Sequence, residues 1–365
     1  MVLSYYVLKI PYTLVWHFKR LTGTTPSVVF YCGTLLDLTI LEPVQKYLQP
    51  LPIVAKNRAL QKQLQDRGIT ASVLPSFPRG VIMARHAAYR FPVAGIKKIC
   101  LSHGAYNFKR FASAKSHNML DVYFFTSQAD VENARRAGIK TGVAVGYPKL
   151  DKAFDGSIDK TLLDELAGRI GLDLNKKTVL FTATWDKSGI SAIDRWYKEL
   201  AAFTADYNVL VTVHPWTSKE RLETIRNTVG VIFIEGYDVL PYIMLADVCV
   251  GDTSSIIGDC CALDKPIVTF RVDDNERSVA DVSALIRSIS WQVDTLDELL
   301  DTLPVALANP QQHAVERARA NKVMFDELDG QAGRRAAEVI IGYFPELAPD
   351  ATEAAGSVSR RKSRE

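Results

Sequence analysis

The feature that most limits what this chain can become is an alternation. Short apolar runs, bounded by turn residues, recur along it with helical segments between many of them. The first half carries PSVVFYCG (26–33), LPIVAK (51–56), ITASVLP (69–75), GVIMA (80–84), KKICLSHG (97–104), DVYFFTS (121–127) and TGVAVGYP (141–148). The second carries KTVLFTAT (177–184), NVLVTVHP (208–215), GVIFIEG (230–236), ADVCVGD (246–252) and KPIVTF (265–270). Residues 36–48, 128–137, 191–206, 218–228 and 254–263 read as helices between them. Strands that alternate with helices form parallel sheets covered on both faces. The expectation is an α/β chain with two Rossmann-like domains, parallel sheets facing an inter-domain cleft, joined near residues 151–176. Residues 310–343 read as one or two further helices.

A length of 365 residues exceeds what one core usually holds, which agrees with two domains. The expected boundaries are 26–155 and 156–345, flanked by an amphipathic N-terminal segment at 1–25 and a basic tail at 346–365. The tail, ATEAAGSVSRRKSRE at its end, is expected to lack fixed structure. With 44 basic and 41 acidic residues the net charge is +3, which excludes a strongly basic nucleic-acid binder. Cys32, Cys100, Cys249, Cys260 and Cys261 follow no zinc spacing, and several lie inside apolar runs. Free thiols of that kind suit a reducing cytosol. There is no HExxH, no P-loop, no Gly-x-Gly-x-x-Gly and no Asp-x-Asp. A kinase or dehydrogenase is therefore disfavoured, and no metal or cofactor is expected.

The first twenty residues, MVLSYYVLKIPYTLVWHFKR, are apolar and aromatic but interrupted by Lys9, Pro11 and His17. They are short for a membrane span of about 20 residues and lack the marks of a signal peptide. Tyr5, Tyr6, Trp16, Phe18, Lys19 and Arg20 suit the edge of a bilayer. A helix docked on the protein's own core explains the same residues, and both readings stand here.

In open α/β sheets chemistry gathers at the carboxyl ends of strands. His103 and Gly104 follow KKICLS, with Lys109 and Arg110 shortly after; Lys149 follows VAVGYP. Thr184, Trp185, Asp186 and Lys187 follow VLFTA, and His214 with Pro215 follows VLVTV. Gly251, Asp252, Thr253, Ser254 and Ser255 follow ADVCV, with Asp259 one helical turn beyond. A tight turn rich in hydroxyls at a helix start is either a helix cap or an anion site. A carboxylate one turn further suits a ribose. A lone histidine at a strand end is either a proton acceptor near neutral pH or a structural group, and this holds for both His103 and His214. His86, His117 and His313 read as solvated or structural.

Five of these blocks, in order, resemble the CDP-glycerol glycerophosphotransferase family of teichoic-acid and capsule polymer enzymes. They are LSHGAYNFKR, TSQADVENARRAG with VAVGYPKLD, VLFTATWDKS, VLVTVHPW and DVLPYIMLADVCVGDTSSIIGDCCALDKPIVTF. The resemblance covers residues 95–335, and more loosely from 26. It implies a GT-B fold with an acceptor domain followed by a nucleotide-donor domain. It implies that His103 takes a proton from the acceptor hydroxyl and that His214 binds the donor diphosphate. Gly251, Asp252, Thr253, Ser254 and Ser255 would hold that diphosphate, and Asp259 the ribose. Gly104, Lys109, Arg110, Lys149, Thr184, Lys187 and Arg271 are candidate phosphate or acceptor contacts. The implied reaction moves glycerol phosphate, or a related polyol phosphate, from a CDP-activated donor to a lipid-linked or glycan acceptor and releases CMP. It implies a cytoplasmic enzyme, peripheral on the cytoplasmic face of the membrane, with no cofactor and no nucleic-acid partner. The sequence departs from the family around His103, at Thr253 and in the loop 184–187, which bears on donor identity. A nucleotide-sugar glycosyltransferase, an enzyme similar to UDP-N-acetylglucosamine 2-epimerase, and a non-catalytic nucleotide-binding scaffold are the alternatives.

Overall fold

The computed structural model describes residues 3–104, 113–273 and 280–350, with side chains at positions 9–104, 113–273 and 281–350. The tail residues 351–365 and the candidate contacts Lys109 and Arg110 lie outside the described residues. The chain forms two compact units.

In the first unit seven strands form one parallel sheet. They are β1 (Val28–Cys32), β2 (Ile53–Ala55), β3 (Ala71–Val73), β4 (Gly80–Met83), β5 (Lys97–Cys100), β6 (Val122–Phe125) and β7 (Gly142–Ala144). Their order is β3-β2-β1-β4-β5-β6-β7, with Tyr31 paired to Met83 and Met83 to Cys100. The central strands β1, β4 and β6 are buried along their whole length, as continuous apolar runs in a doubly covered sheet should be.

The second unit holds six parallel strands: β8 (Lys177–Ala183), β9 (Tyr207–Val213), β10 (Val231–Phe233), β11 (Val248–Gly251), β12 (Ile267–Phe270) and β13 (Trp291–Val293). Their order is β10-β9-β8-β11-β12-β13, so the chain reverses direction across the sheet between β8 and β11. Crevices at such a reversal are where open α/β sheets bind ligands. Phe181, Trp196 and Phe203 form the aromatic heart of this core, with ring centroids 5.3 Å and 5.2 Å from Phe181. Each such buried ring contributes about 1.5–3 kcal/mol.

Three expectations need correction. Residues 191–206 form short 3-10 turns, Ile193–Arg195 and Leu200–Phe203, in place of a helix. The segment is held from outside: Ala192 N–H donates to Asp252 (2.9 Å), Ser191 Oγ to Thr184 O (2.6 Å), and Arg221 grips Asp194. The strand β13 was not anticipated, because Trp-Gln-Val offers no apolar run. The third concerns the domain limits. The first unit ends at Asp151, and residues from Gln331 onward return to it and leave the C-terminal domain that the sequence suggested. Asp151 explains the return. Its carboxylate accepts from Ala332 N–H (3.1 Å) and Gly333 N–H (2.6 Å), which caps the helix Ala332–Tyr343 against the first unit.

The helix Leu3–Leu21 docks on the first unit by one side. Trp16 is 1% exposed and its indole N–H donates to Pro78 O (2.7 Å), while the Tyr12 hydroxyl donates to Ser76 O. Ile10, Leu14, Phe18 and Leu21 stay exposed. Among the described residues no helix is long and apolar enough to cross a membrane.

Candidate functional site

The turn after β11 is built around Asp252. Gly251 precedes it because nothing larger fits: an added Cβ would lie 2.8 Å from Ile257 Cδ1 and 2.9 Å from Thr182 Cγ2. Asp252 is buried, and its carboxylate accepts from Thr184 N–H (2.9 Å), Thr184 Oγ1–H (3.1 Å), Ala192 N–H (2.9 Å) and Ser254 N–H (2.9 Å). Burial pushes this carboxyl up, against the pull of those Ala192, Thr184 and Ser254 bonds toward the charged form. Asp252 also lines a cavity together with Thr253. Its oxygens are spent inside the fold, tying together the ends of β8 and β11 and the 190s loop.

The three hydroxyls divide the same way. Thr253 Oγ1 donates to Ile190 O (3.0 Å) and lies 3.2 Å from Thr184 Oγ1. Ser254 Oγ lies 3.3 Å from Thr182 Oγ1 and accepts a long bond from Ile256 N–H (3.4 Å), so the helix-cap reading belongs to Ser254. Ser255, at the start of the helix Ile256–Ala262, is half-buried and makes no side-chain capping bond. That helix has only seven residues, so its dipole is modest and anion binding at this turn rests on the hydroxyl and backbone N–H groups. Asp259 is 4% exposed in the first turn of this helix.

Beside the turn stand the ends of β8 and β9. The Trp216 backbone N–H donates to His214 Nδ1 (3.1 Å). With Nδ1 accepting, the neutral ring carries its proton on Nε2, which makes Nε2–H a donor suited to an anion. Trp185 and Trp216 pack around this imidazole at 4.8 Å and 5.2 Å between centroids. The 184–188 loop is stapled at Asp186, which accepts from Ser218 N–H (2.9 Å) and pairs with Arg221 (3.3 Å). Burial alone would raise the Asp186 carboxyl; the Ser218 bonds and the Arg221 guanidinium outweigh it and hold it below the usual range.

The fold therefore brings Thr184, His214 and residues 251–255 to one edge of the second sheet. Lys187 is exposed on the loop. Arg271 follows β12, is exposed, and is paired with the Asp294 carboxylate. A cavity of about 390 Å³ opens next to Thr253, lined also by Arg195, Arg271, Arg287 and Asp294. Arg195 and Arg287 escaped sequence reasoning because the unread strand β13 supplies the far wall of that cavity.

In the first unit His103 follows β5 and is half-buried. Gly104, next in the chain, groups with the second unit, and a Cβ there would meet nothing within 4 Å. Met83 pairs with Cys100, so the ends of β4 and β5, which lead on to Arg85 and His103, lie side by side. Arg85 Nε donates to buried Asp37 (3.2 Å), which also accepts from Gly33 N–H (2.6 Å) and Thr34 N–H (3.1 Å). Neither Asp37 nor Arg85 was singled out from sequence. The signal was present, because Gly33-Thr34 and Asp37 follow VVFYC much as Gly251 and Asp252 follow VCV. Lys149 is buried in the 3-10 helix Pro148–Ala153. His117 is buried, 5.8 Å from the His86 ring, and burial lowers its pKa. Among the described residues no group of three or more His, Cys, Asp or Glu is placed to hold a metal ion.

Comparison with known proteins places this geometry. The family described as CDP-Glycerol:Poly(glycerophosphate) glycerophosphotransferase matches residues 99–342. A teichoic acid poly(ribitol-phosphate) polymerase of Bacillus spizizenii is 23% identical over 288 residues, 72% of this chain and 42% of that protein. A teichoic acid poly(glycerol phosphate) polymerase of Staphylococcus epidermidis is 27% identical over 141 residues, 35% of this chain and 19% of that protein. The chain thus spans less than half the length of these curated relatives. The solved structure of the wall teichoic acid polymerase TagF superposes with a TM-score of 0.68 at 17% identity, over 93% of this chain and 98% of that one. A UDP-GlcNAc 2-epimerase from Neisseria meningitidis bound to UDP-GlcNAc gives 0.58 at 16% identity, over 87% and 100%. The α/β GT-B fold is common to them.

Proposed function

Because the chain belongs to the CDP-glycerol:poly(glycerophosphate) glycerophosphotransferase family, we propose that it transfers a polyol phosphate from a CDP-activated donor to an acceptor hydroxyl in teichoic-acid synthesis. The acceptor oxygen bonds to the β-phosphorus, the bond from that phosphorus to the bridging oxygen breaks, and CMP leaves with the electron pair. The acceptor proton passes to His103. Charge that develops on the transferred phosphoryl group needs prearranged donors. His214 Nε2–H and the Ser255 hydroxyl fill that need in this reading, and the Asp252 cage keeps the turn in place before the donor arrives.

One observation carries the reading. Asp252 binds Thr184, Ala192 and Ser254, yet leaves Ser255 with no capping bond, at the sheet reversal beside His214. A turn that served only as a helix cap would have no need of so elaborate a frame. Glycerol phosphate or a related polyol phosphate is the group moved, and a lipid-linked or glycan hydroxyl receives it. The protein works in the cytoplasm, peripheral on the membrane, and the exposed residues Ile10, Leu14, Phe18 and Leu21 support that placement.

A donor screen tests the chemistry. The full chain is incubated with CDP-glycerol, CDP-ribitol and UDP-sugars, with an acceptor lipid extract, and released CMP or UDP is measured. CMP release from a CDP-polyol is expected. Release of UDP alone would move the protein to the nucleotide-sugar reading, and no release from any donor would favour a scaffold.

A further inference from the structure

A second cavity, of about 530 Å³, lies in the first unit beneath the helix Leu3–Leu21. Lys9, Thr13, His17 and Arg20 line it from the helix, and Lys98 from β5. At about 100° per residue these four helix positions fall on a flank. On one side of that flank is the docked Tyr12 and Trp16 side; on the other is the stripe of Ile10 (71% exposed), Leu14 (66%), Phe18 (67%) and Leu21 (87%). No Asp or Glu occurs before Asp37, so the helix carries basic and no acidic side chains.

Lys98 is the unusual member. It is 6% exposed, and its ammonium donates to Val93 O (2.9 Å) and Ile96 O (2.7 Å). An ammonium has three donors, so one remains at the cavity wall. Burial, with Lys97 nearby, pulls its pKa down to about 8 against the Asp121 charge. Asp121 itself is engaged by Lys97 Nζ (2.8 Å) and Lys98 N–H (2.8 Å). A buried lysine with a spare donor, facing a basic cavity, suits an anion.

We propose that this cavity binds the phosphate headgroup of an anionic phospholipid while the neighbouring apolar stripe lies in the membrane surface. The proposal rests on the peripheral-membrane reading above. Apolar burial supplies general affinity, and the cavity supplies the preference for an anionic headgroup. The stripe and the cation-lined cavity sit side by side on one helix, as a lipid with its headgroup turned toward the protein requires.

The test is flotation of the full chain with vesicles of phosphatidylcholine alone and of phosphatidylcholine mixed with phosphatidylglycerol. The wild type is expected to bind both and the mixture more tightly. Thr13→Phe fills the cavity and keeps every cation; it is expected to abolish the preference and leave phosphatidylcholine binding intact. Lys98→Met is expected to reduce binding to the mixture about fivefold, the value of one basic residue at an anionic surface at about 1 kcal/mol. Lys19→Met, off the cavity, is expected to change it less. A preference that survives Thr13→Phe would overturn the cavity and leave smeared charge as its cause. Calorimetric binding of glycerol 3-phosphate or inorganic phosphate without vesicles would overturn the lipid assignment in favour of a free phosphate ester. No binding to either vesicle would sink the membrane reading itself, an outcome distinct from loss of the preference.

Discussion

Asp252 decides more at this site than any residue that faces solvent. Its carboxylate holds Thr184, Ala192 and Ser254 in register. The reason this was illegible is distance along the chain. Its partners Thr184 and Ala192 lie 68 and 60 positions away, and no local pattern links them. The turn itself was legible as either a helix cap or an anion site, because Gly-Asp-Thr-Ser-Ser stands at a strand end. Asp252→Asn puts an amide N–H₂ against buried N–H groups. It is expected to cost about 2–3 kcal/mol in urea unfolding, since unsatisfied buried donors carry that penalty. CDP affinity, measured by calorimetry, should fall with it. Unchanged stability and unchanged affinity together would show that the carboxylate does not organise the turn.

At the scale of elements, the twelve strands read from sequence all form; the inner ones, buried on both faces, advertise themselves as unbroken apolar runs. β13 did not advertise itself: Trp291 and Gln292 are only half-buried and three residues make no pattern. The 191–206 segment misled for the opposite reason. Trp196, Leu200 and Phe203 have helical spacing, but Asp252 and Arg221 hold the start of the segment at Ala192 and Asp194, and it forms 3-10 turns. The helix Ala332–Tyr343 shows how packing overrides chain order. Gly333 sits where a Cβ would come within 2.5 Å of Pro43 O, so close approach to the helix Leu36–Gln45 requires glycine there. Gly333→Ala is expected to destabilise the first unit by about 1–3 kcal/mol through overpacking. Limited proteolysis should then cut near residue 330 sooner; an unchanged cleavage rate and an unchanged melting temperature would show that the contact is slack.

At the scale of the whole molecule, two parallel sheets divide the candidate chemistry. His103 stands on the first unit, and Thr184, His214 and Ser255 stand on the second. The two-domain α/β plan was open to sequence reasoning because strand and helix alternate throughout. The exchange of residues 331–350 to the first unit was hidden, since it depends on Asp151 capping a helix some 180 positions later, as the separations of 181 and 182 in its two bonds record. Family membership supports the proposed reaction class, and this chain's own residues supply the roles to be tested.

The most direct measurement sets His103→Ala beside the wild type, with the best CDP-polyol from the donor screen. CMP release and CDP binding are followed on the same preparations. General-base removal is expected to lower turnover by about 10²–10⁴-fold, with the dissociation constant for CDP unchanged, because the proposed donor groups lie on the other unit. Turnover within about tenfold of the wild type, roughly 1.4 kcal/mol of barrier, would contradict the assignment of His103 and the transfer mechanism built on it.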